Sequence, residues 1–205
     1  MVAVDTGDIL SSFHSVLVRF QAALMGEPVL CEAIFHGTEE WTRQLSYKLL
    51  PHLADGGCLI VAVAGGTNTG KSTVFNLLLG REVSPVRPTA AATRRPVLSV
   101  SPRRAEDCLQ GLLVPEFKAQ WLESPDVVLD PCTPPDSLWI VSSPDLPDNL
   151  AFMDTPDVDS IEKENWAIAE EMGVAGDVVV AVLTGEKYRD DRVVSYFRDA
   201  RRSRR

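Results

Sequence analysis

Apolar positions along the chain follow two kinds of pattern, and the change from one to the other comes near residue 57. Ahead of it, Ile9, Leu10, Phe13, Val16, Leu17, Phe20 and Leu24 recur in steps of three and four, which draws one stripe down a helix over residues 8–25. Asp8 stands at its expected N-cap. A second stretch, about Glu39 to Leu53, aligns Trp41, Leu45, Leu49 and Leu53, with Pro51 kinking or ending it. The region from Gly26 to Gly37 reads as the connection. Residues 1–57 are thus expected to form a helical hairpin. Two stripes cannot be buried by two helices alone, so the hairpin should pack on the remainder of the chain or on a partner.

After Gly56 and Gly57 the apolar residues become continuous. Cys58–Ala64 (CLIVAVA), Leu150–Met153 and Val178–Leu183 are short and rich in β-branched side chains, as strands buried on both faces are. Arg95–Val100 and Leu138–Ser142 read as further strands. Helical stretches at Lys71–Leu79 and about Ile161–Met172 lie between them, so the order alternates as in a parallel α/β sheet. Within residues 104–122 the spacing of Leu109, Leu112, Leu113, Phe117 and Trp121 predicts a short helix. Six of the 14 prolines fall in Pro125–Pro147, which reads as an irregular surface excursion.

Composition changes this picture little and charge narrows it. A chain of 205 residues, 45% apolar and 24% charged, suits one folded domain with an appendage. Twenty basic residues against 29 acidic ones give a net charge of −9, a field that repels nucleic acid and anionic membrane surfaces. No nucleic-acid partner is expected, and membrane contact has no support in this pattern. The four arginines among the last five residues read as a solvated end. Four cysteines without a C-x-x-C pair, and three histidines not clustered with them, make no zinc site. Without a leader or a spanning run at this N-terminus, the expected location is cytoplasmic, with peripheral attachment to a membrane as the variant.

Chemistry enters directly after the first buried strand. Gly65-Gly66-Thr67-Asn68-Thr69-Gly70-Lys71-Ser72 fits G-x-x-x-x-G-K-[ST] and opens into a helix, the context that a phosphate loop demands. Its glycines let backbone N–H groups turn inward around phosphates, and the helix N-terminus adds partial positive charge. Gly65, Thr67, Asn68, Thr69, Gly70, Lys71, Ser72 and Thr73 are therefore the candidate nucleotide-binding residues. Lys71 should reach the β and γ oxygens, while the Ser72 hydroxyl should coordinate Mg²⁺. The strand Leu150–Met153 delivers Asp154 to the edge of the sheet where such folds bind ligands, a second candidate for the metal. In the loop Pro88–Pro96, Thr93 is the hydroxyl expected to cap Mg²⁺ when a γ phosphate is present, with Thr89 as the substitute. Lys71 and Thr93 are the candidate catalytic residues.

On these motifs the chain resembles the P-loop GTPases, and within them the Era/TrmE-like and dynamin-like branch, over roughly residues 58–200. GGTNTGKS resembles that branch's G1 loop, Thr93-Arg94 its switch I threonine, and Asp154-Thr155-Pro156-Asp157 its G3 motif, usually D-x-x-G. Ala175–Leu183 (AGDVVVAVL) is similar to the strand after switch II. The resemblance implies an α/β three-layer P-loop NTPase fold with a mostly parallel sheet, GTP as ligand and substrate, Mg²⁺ as cofactor, and a nucleotide-controlled switch. It also implies that Asn68 helps to hold K⁺ beside the phosphates, and that homodimerisation is frequent. Three departures qualify it. Asp157 replaces the G3 glycine, which bears on hydrolysis more than on binding. The long interval from Thr93 to Asp154 points to an insertion at about 102–137, which, with the N-terminal helices, is the expected surface for a protein partner. No [NT]-K-x-D guanine motif follows the strand at 178–183. Thr184–Asp191 is the nearest text and follows the wrong strand, so a domain over 58–205 with an incomplete sheet and its C-terminal part missing is expected. A P-loop ATPase, or a nucleotide-binding module without turnover, is the competing expectation.

Overall fold

The computed structural model describes residues 6–35, 42, 45, 50, 57–86, 95–130, 132–159 and 175–202. It divides into two compact units at Gly57 and Cys58.

In the first unit, α1 spans Thr6–Ala23 and α2 spans Pro28–Phe35. The helix starts two residues before Asp8, which lies in its first turn and not at its cap; a carboxylate there still opposes the positive end of the helix. The segment expected as a connection holds α2. Proline at its first position costs no hydrogen bond, and the run VLCEAIF carries no breaker. The rings of Phe20 and Phe35 meet at a centroid distance of 5.8 Å. Most of the helix expected at 39–53 lies outside the described residues.

The second unit is built on one sheet. Its strands are β1 (Leu59–Gly65), β2 (Val97–Val100), β3 (Lys118–Trp121), β4 (Ser137–Ser142), β5 (Leu150–Asp154) and β6 (Val178–Val182). Their spatial order is β3-β4-β2-β5-β1-β6. β5, β1 and β6 run parallel, as do β3, β4 and β2, and the two blocks meet in the antiparallel pair of β2 with β5. The sheet is therefore mostly parallel. Among the described strands β6 forms one edge, where Val178 is 41% exposed.

Alternation along the strands sends side chains to two cores. On one face Ile60, Ala62, Leu98, Val100, Leu138, Ile140, Ala151 and Met153 pack with Ala105 and Cys108 of α4 (Pro102–Leu109). On the other, Val63, Val97 and Trp139 pack with Phe75 of α3 (Lys71–Leu79). Helices on both faces of the sheet complete the three layers of an α/β P-loop fold. A short 3₁₀ turn at Lys187–Arg189 leads from β6 to α5 (Asp191–Arg202), whose Val193 is buried against Val158. The helix expected at 161–172 lies outside the described residues.

The insertion differs from its expected form. The apolar spacing of 104–122 is helical only to Leu109, because Gly111 takes φ 74°, which stops the helix, and Pro115 follows. Phe117 turns into the core, and Lys118–Trp121 becomes β3 by pairing with β4. The proline-rich excursion contains a 3₁₀ turn at Pro125–Leu129, then β4, which inserts between β3 and β2. Arg95 fastens this excursion. Buried ahead of β2, it donates from Nε to the carbonyls of Thr133 (3.0 Å) and Pro134 (2.7 Å) and from Nη2 to Thr133 (2.6 Å).

Candidate functional site

β1 ends at Gly65 and the chain turns through residues 66–70 into α3. Gly65 is required by closeness: a Cβ there would stand 2.3 Å from the carbonyl oxygen of Val182 and 2.8 Å from Thr69 Oγ1. Gly70 is required by conformation, for it enters the helix at φ 92°. Asn68, at the exposed tip, also has positive φ, 59°. The Thr69 hydroxyl ties the turn by donating to the Gly66 carbonyl at 2.9 Å. Thr73 sits exposed in the first turn of α3.

Lys71 and Ser72 open α3 from the loop side. Lys71 is 5% exposed, donates from Nζ to the Gly66 carbonyl at 2.8 Å and forms an ion pair with Asp157. The Ser72 hydroxyl donates to Asp154 Oδ2 at 2.8 Å. Register explains how residues 82 positions apart meet: Asp154 pairs with Val63 of β1, so β5 ends beside the strand that launches the loop.

Asp154 is fully buried. Burial raises its carboxyl above the ordinary carboxylate range, against the hydroxyls of Ser84 and Ser72 and the charge of Lys71, which lower it. Its Oδ2 accepts from Ser72 and from Ser84 (2.6 Å), while Oδ1 has no hydrogen-bond partner. A buried carboxylate oxygen with an open lone pair, beside a serine hydroxyl, is a hard oxygen donor set. It suits Mg²⁺, which takes one or two carboxylates and completes its shell with phosphates and water. No cluster of three or more acidic, histidine or cysteine ligands occurs among the described residues, so a dedicated all-protein cage is not what these side chains form.

The loop after β5 folds back on the phosphate loop. Thr155 binds the Val63 carbonyl through N (3.3 Å) and Oγ1 (3.0 Å), and Val158 N donates to the Gly65 carbonyl at 3.2 Å. Asp159 Oδ1 accepts from Thr67 N (2.7 Å) and Oγ1 (2.9 Å), and its Oδ2 pairs with Lys187. Lys187 belongs to the text nearest to a guanine motif, and its ammonium is held by Asp159. Burial works to raise the Asp159 carboxyl, but Lys187 and the two groups of Thr67 outweigh it and hold it below the usual range.

The sequence-derived residues thus divide. Gly65, Thr67, Asn68, Thr69, Gly70, Lys71, Ser72 and Thr73 lie on one loop and first turn, and Asp154 joins them through Ser72. Thr93 and Thr89 lie outside the described residues. Sequence reasoning assigned no part in the site to Ser84, Asn76, Asp159 or Lys187. Asn76 of α3 accepts from the N–H groups of Val83 and Ser84 (2.9 Å each) and donates to the Ser84 carbonyl (2.8 Å), which delivers the Ser84 hydroxyl to Asp154. No motif announces these residues. Asp159, which follows Asp157 by two positions in an acidic turn after a phosphate-site strand, is the one with a local signal.

A family model described as 50S ribosome-binding GTPase matches residues 60–203. No curated protein matches the chain. The match takes in the phosphate loop, Asp154 and every strand of the sheet but the first residue of β1. With a strand-loop-helix phosphate cradle at one end of that match and the buried Ser72-Asp154 pair inside it, the chain belongs to this GTPase family: it is a GTP-binding protein that acts as a GTPase.

Proposed function

We propose that this GTPase is a Mg²⁺-dependent, nucleotide-controlled switch of the Era/TrmE-like and dynamin-like branch. The observation that carries the reading is the Ser72 hydroxyl on Asp154, with Asp154 Oδ1 buried and unpartnered. In this reading Ser72 and Asp154 hold Mg²⁺, and Lys71 neutralises the β and γ oxygens. Bound Mg²⁺ supplies positive charge to the phosphate oxygens as the β–γ bond breaks. Ser84, placed by Asn76, aims Asp154 and opposes the effect of burial on its carboxyl. Thr93 is assigned the γ-phosphate side of the metal, where its hydroxyl would report which nucleotide is bound.

Asn68 is assigned to a K⁺ ion beside the phosphates. Its exposed position at the tip of the loop supports this. Equal hydrolysis rates in Na⁺ and K⁺ would remove it. The insertion, now seen to include α4 and β3, and the N-terminal helices are proposed as surfaces for a protein partner or a second copy. The proposed location is the cytoplasm, which free thiols at Cys58, Cys108 and Cys132 support. No helix among the described residues is long and apolar enough to cross a membrane. A net charge of −9 disfavours contact with an RNA backbone.

Limited trypsin digestion tests the switch. Arg94 precedes Arg95 and lies next to Thr93. Cleavage after Arg94 is expected to slow at least several-fold with Mg²⁺ and a non-hydrolysable GTP analogue, and not with GDP. Equal cleavage in both states contradicts the switch, whatever the affinity for nucleotide.

A further inference from the structure

The turn Asp157-Val158-Asp159 presents two carboxylates to one phosphate cradle. Asp157 is 4% exposed and pairs with Lys71, the cation assigned to the β and γ oxygens. Asp159, with a side chain 3% exposed, occupies Thr67 N–H, a donor of the loop itself. The placement is built. Between the acids Val158 is fully buried against Val193 of α5, with Tyr196 and Phe197 packed beside them, and its N–H is held by the Gly65 carbonyl. Lys187 anchors Asp159 from the other side.

An ammonium has three donors, and in Lys71 one goes to the Gly66 carbonyl and another to Asp157. A γ phosphate brought to this ammonium meets a buried carboxylate already there. Two anions sharing one cation at low local dielectric repel strongly, so the carboxylate must leave or the phosphate binds weakly. A diphosphate demands less. Its β oxygens can take the third donor of Lys71, and Asp157 can keep the place that the γ group would need.

We propose that Asp157 is the specificity-determining residue for nucleotide state: a carboxylate that occupies the γ-phosphate side of the cradle, competes with GTP for Lys71 and tilts binding toward GDP. Val158 and Asp159 are its positioning residues. The inference rests on the assignment of residues 65–72 to the phosphates, and it adds a selector to that site. GTP binding then requires the turn 157–159 to move, which couples the third phosphate to α5 through Val158 and Val193.

The test compares dissociation constants of fluorescent GDP and of a fluorescent non-hydrolysable GTP analogue, both with Mg²⁺, for the full chain and for Asp157→Asn. The wild-type chain should bind GDP at least tenfold tighter than the analogue. Asp157→Asn, neutral and nearly isosteric, should tighten the analogue about tenfold and change GDP less than threefold. Should Asp157→Asn fail to give a cooperative thermal melt, Asp157→Gly serves, with the same expectation. A wild-type preference for the analogue, or equal changes for both nucleotides in the folded variant, overturns the proposal and leaves the GTPase reading in place. A wild-type chain that binds neither nucleotide overturns both.

Discussion

The hydroxyl of Ser72 reaches Asp154 across 82 residues of sequence, 2.8 Å from Oδ2, and leaves Oδ1 of that carboxylate buried without a partner. A fold retains such an oxygen at a cost. Taking an ionised carboxylate out of water is unfavourable, and two serine hydroxyls offset only part of it. Asp154→Asn should therefore raise the stability of the nucleotide-free protein by roughly 1–2 kcal/mol while weakening Mg²⁺-dependent nucleotide binding. Urea unfolding without nucleotide, and nucleotide titration with and without Mg²⁺, would read the two effects separately. A variant that loses stability while keeping Mg²⁺-dependent binding contradicts the assignment.

Asn76 carries the turn that brings Ser84 to Asp154. Asn76→Ala leaves the N–H groups of Val83 and Ser84, both buried residues, without their acceptor. The expected cost is about 2–4 kcal/mol, since each orphaned buried donor forfeits its full desolvation penalty. Asn76→Asp keeps the acceptor and should recover much of it. A loss under about 0.5 kcal/mol in Asn76→Ala would show that the turn is held by something else.

The tie between Asp159 and Lys187 makes a statement about pH. The Asp159 carboxyl is lowered, so its contribution is present above the unfolded value near 3.9 and is lost as pH falls through the folded one. The ammonium of Lys187 is raised, chiefly by its hydrogen bond to Asp159, so its contribution is complete below about 10.4 and fades as pH rises past the folded value. The stability difference between wild type and Lys187→Met should be constant from about pH 5 to 9 and shrink below about pH 4. A difference that titrates near neutrality would contradict the pairing.

Burial pushes the thiols of Cys58 and Cys108 up, to about 11 and about 12. Both should resist alkylation at about pH 8 in the folded protein and react on unfolding, whereas exposed Cys132 should be labelled at once. Mass mapping of the labelled peptides decides this. Rapid labelling of Cys108 in the native chain would mean that α4 opens easily from the sheet.

The parts of the molecule legible in the sequence were those in which local pattern and tertiary role agree. GGTNTGKS sits between a buried strand and a helix whose bounds match the expected Lys71–Leu79, because glycine geometry and apolar run length are local facts. β3 was not legible. Leu109 to Trp121 spaces like a helix, and only the positive φ at Gly111 and pairing with β4 make Lys118–Trp121 a strand. Ser84 carries no signal, since one serine in a loop resembles any other until Asn76 folds it toward Asp154. For Asp157 the departure from glycine and its bearing on hydrolysis are visible in the sequence, and its pairing with Lys71 is not. A side chain's charge can be read from sequence, but its choice of Lys71 as partner depends on how Val158 packs.

Phosphate release from GTP by the full chain, with Mg²⁺ or with excess chelator, in wild type and in Ser72→Ala, reads whether the Ser72-Asp154 pair serves Mg²⁺-dependent hydrolysis. Release should require Mg²⁺ and fall roughly 100-fold in Ser72→Ala, the scale expected when one group that stabilises developing phosphate charge is removed. Release that survives chelation, or that Ser72→Ala leaves unchanged, would contradict the assignment of this pair to the metal.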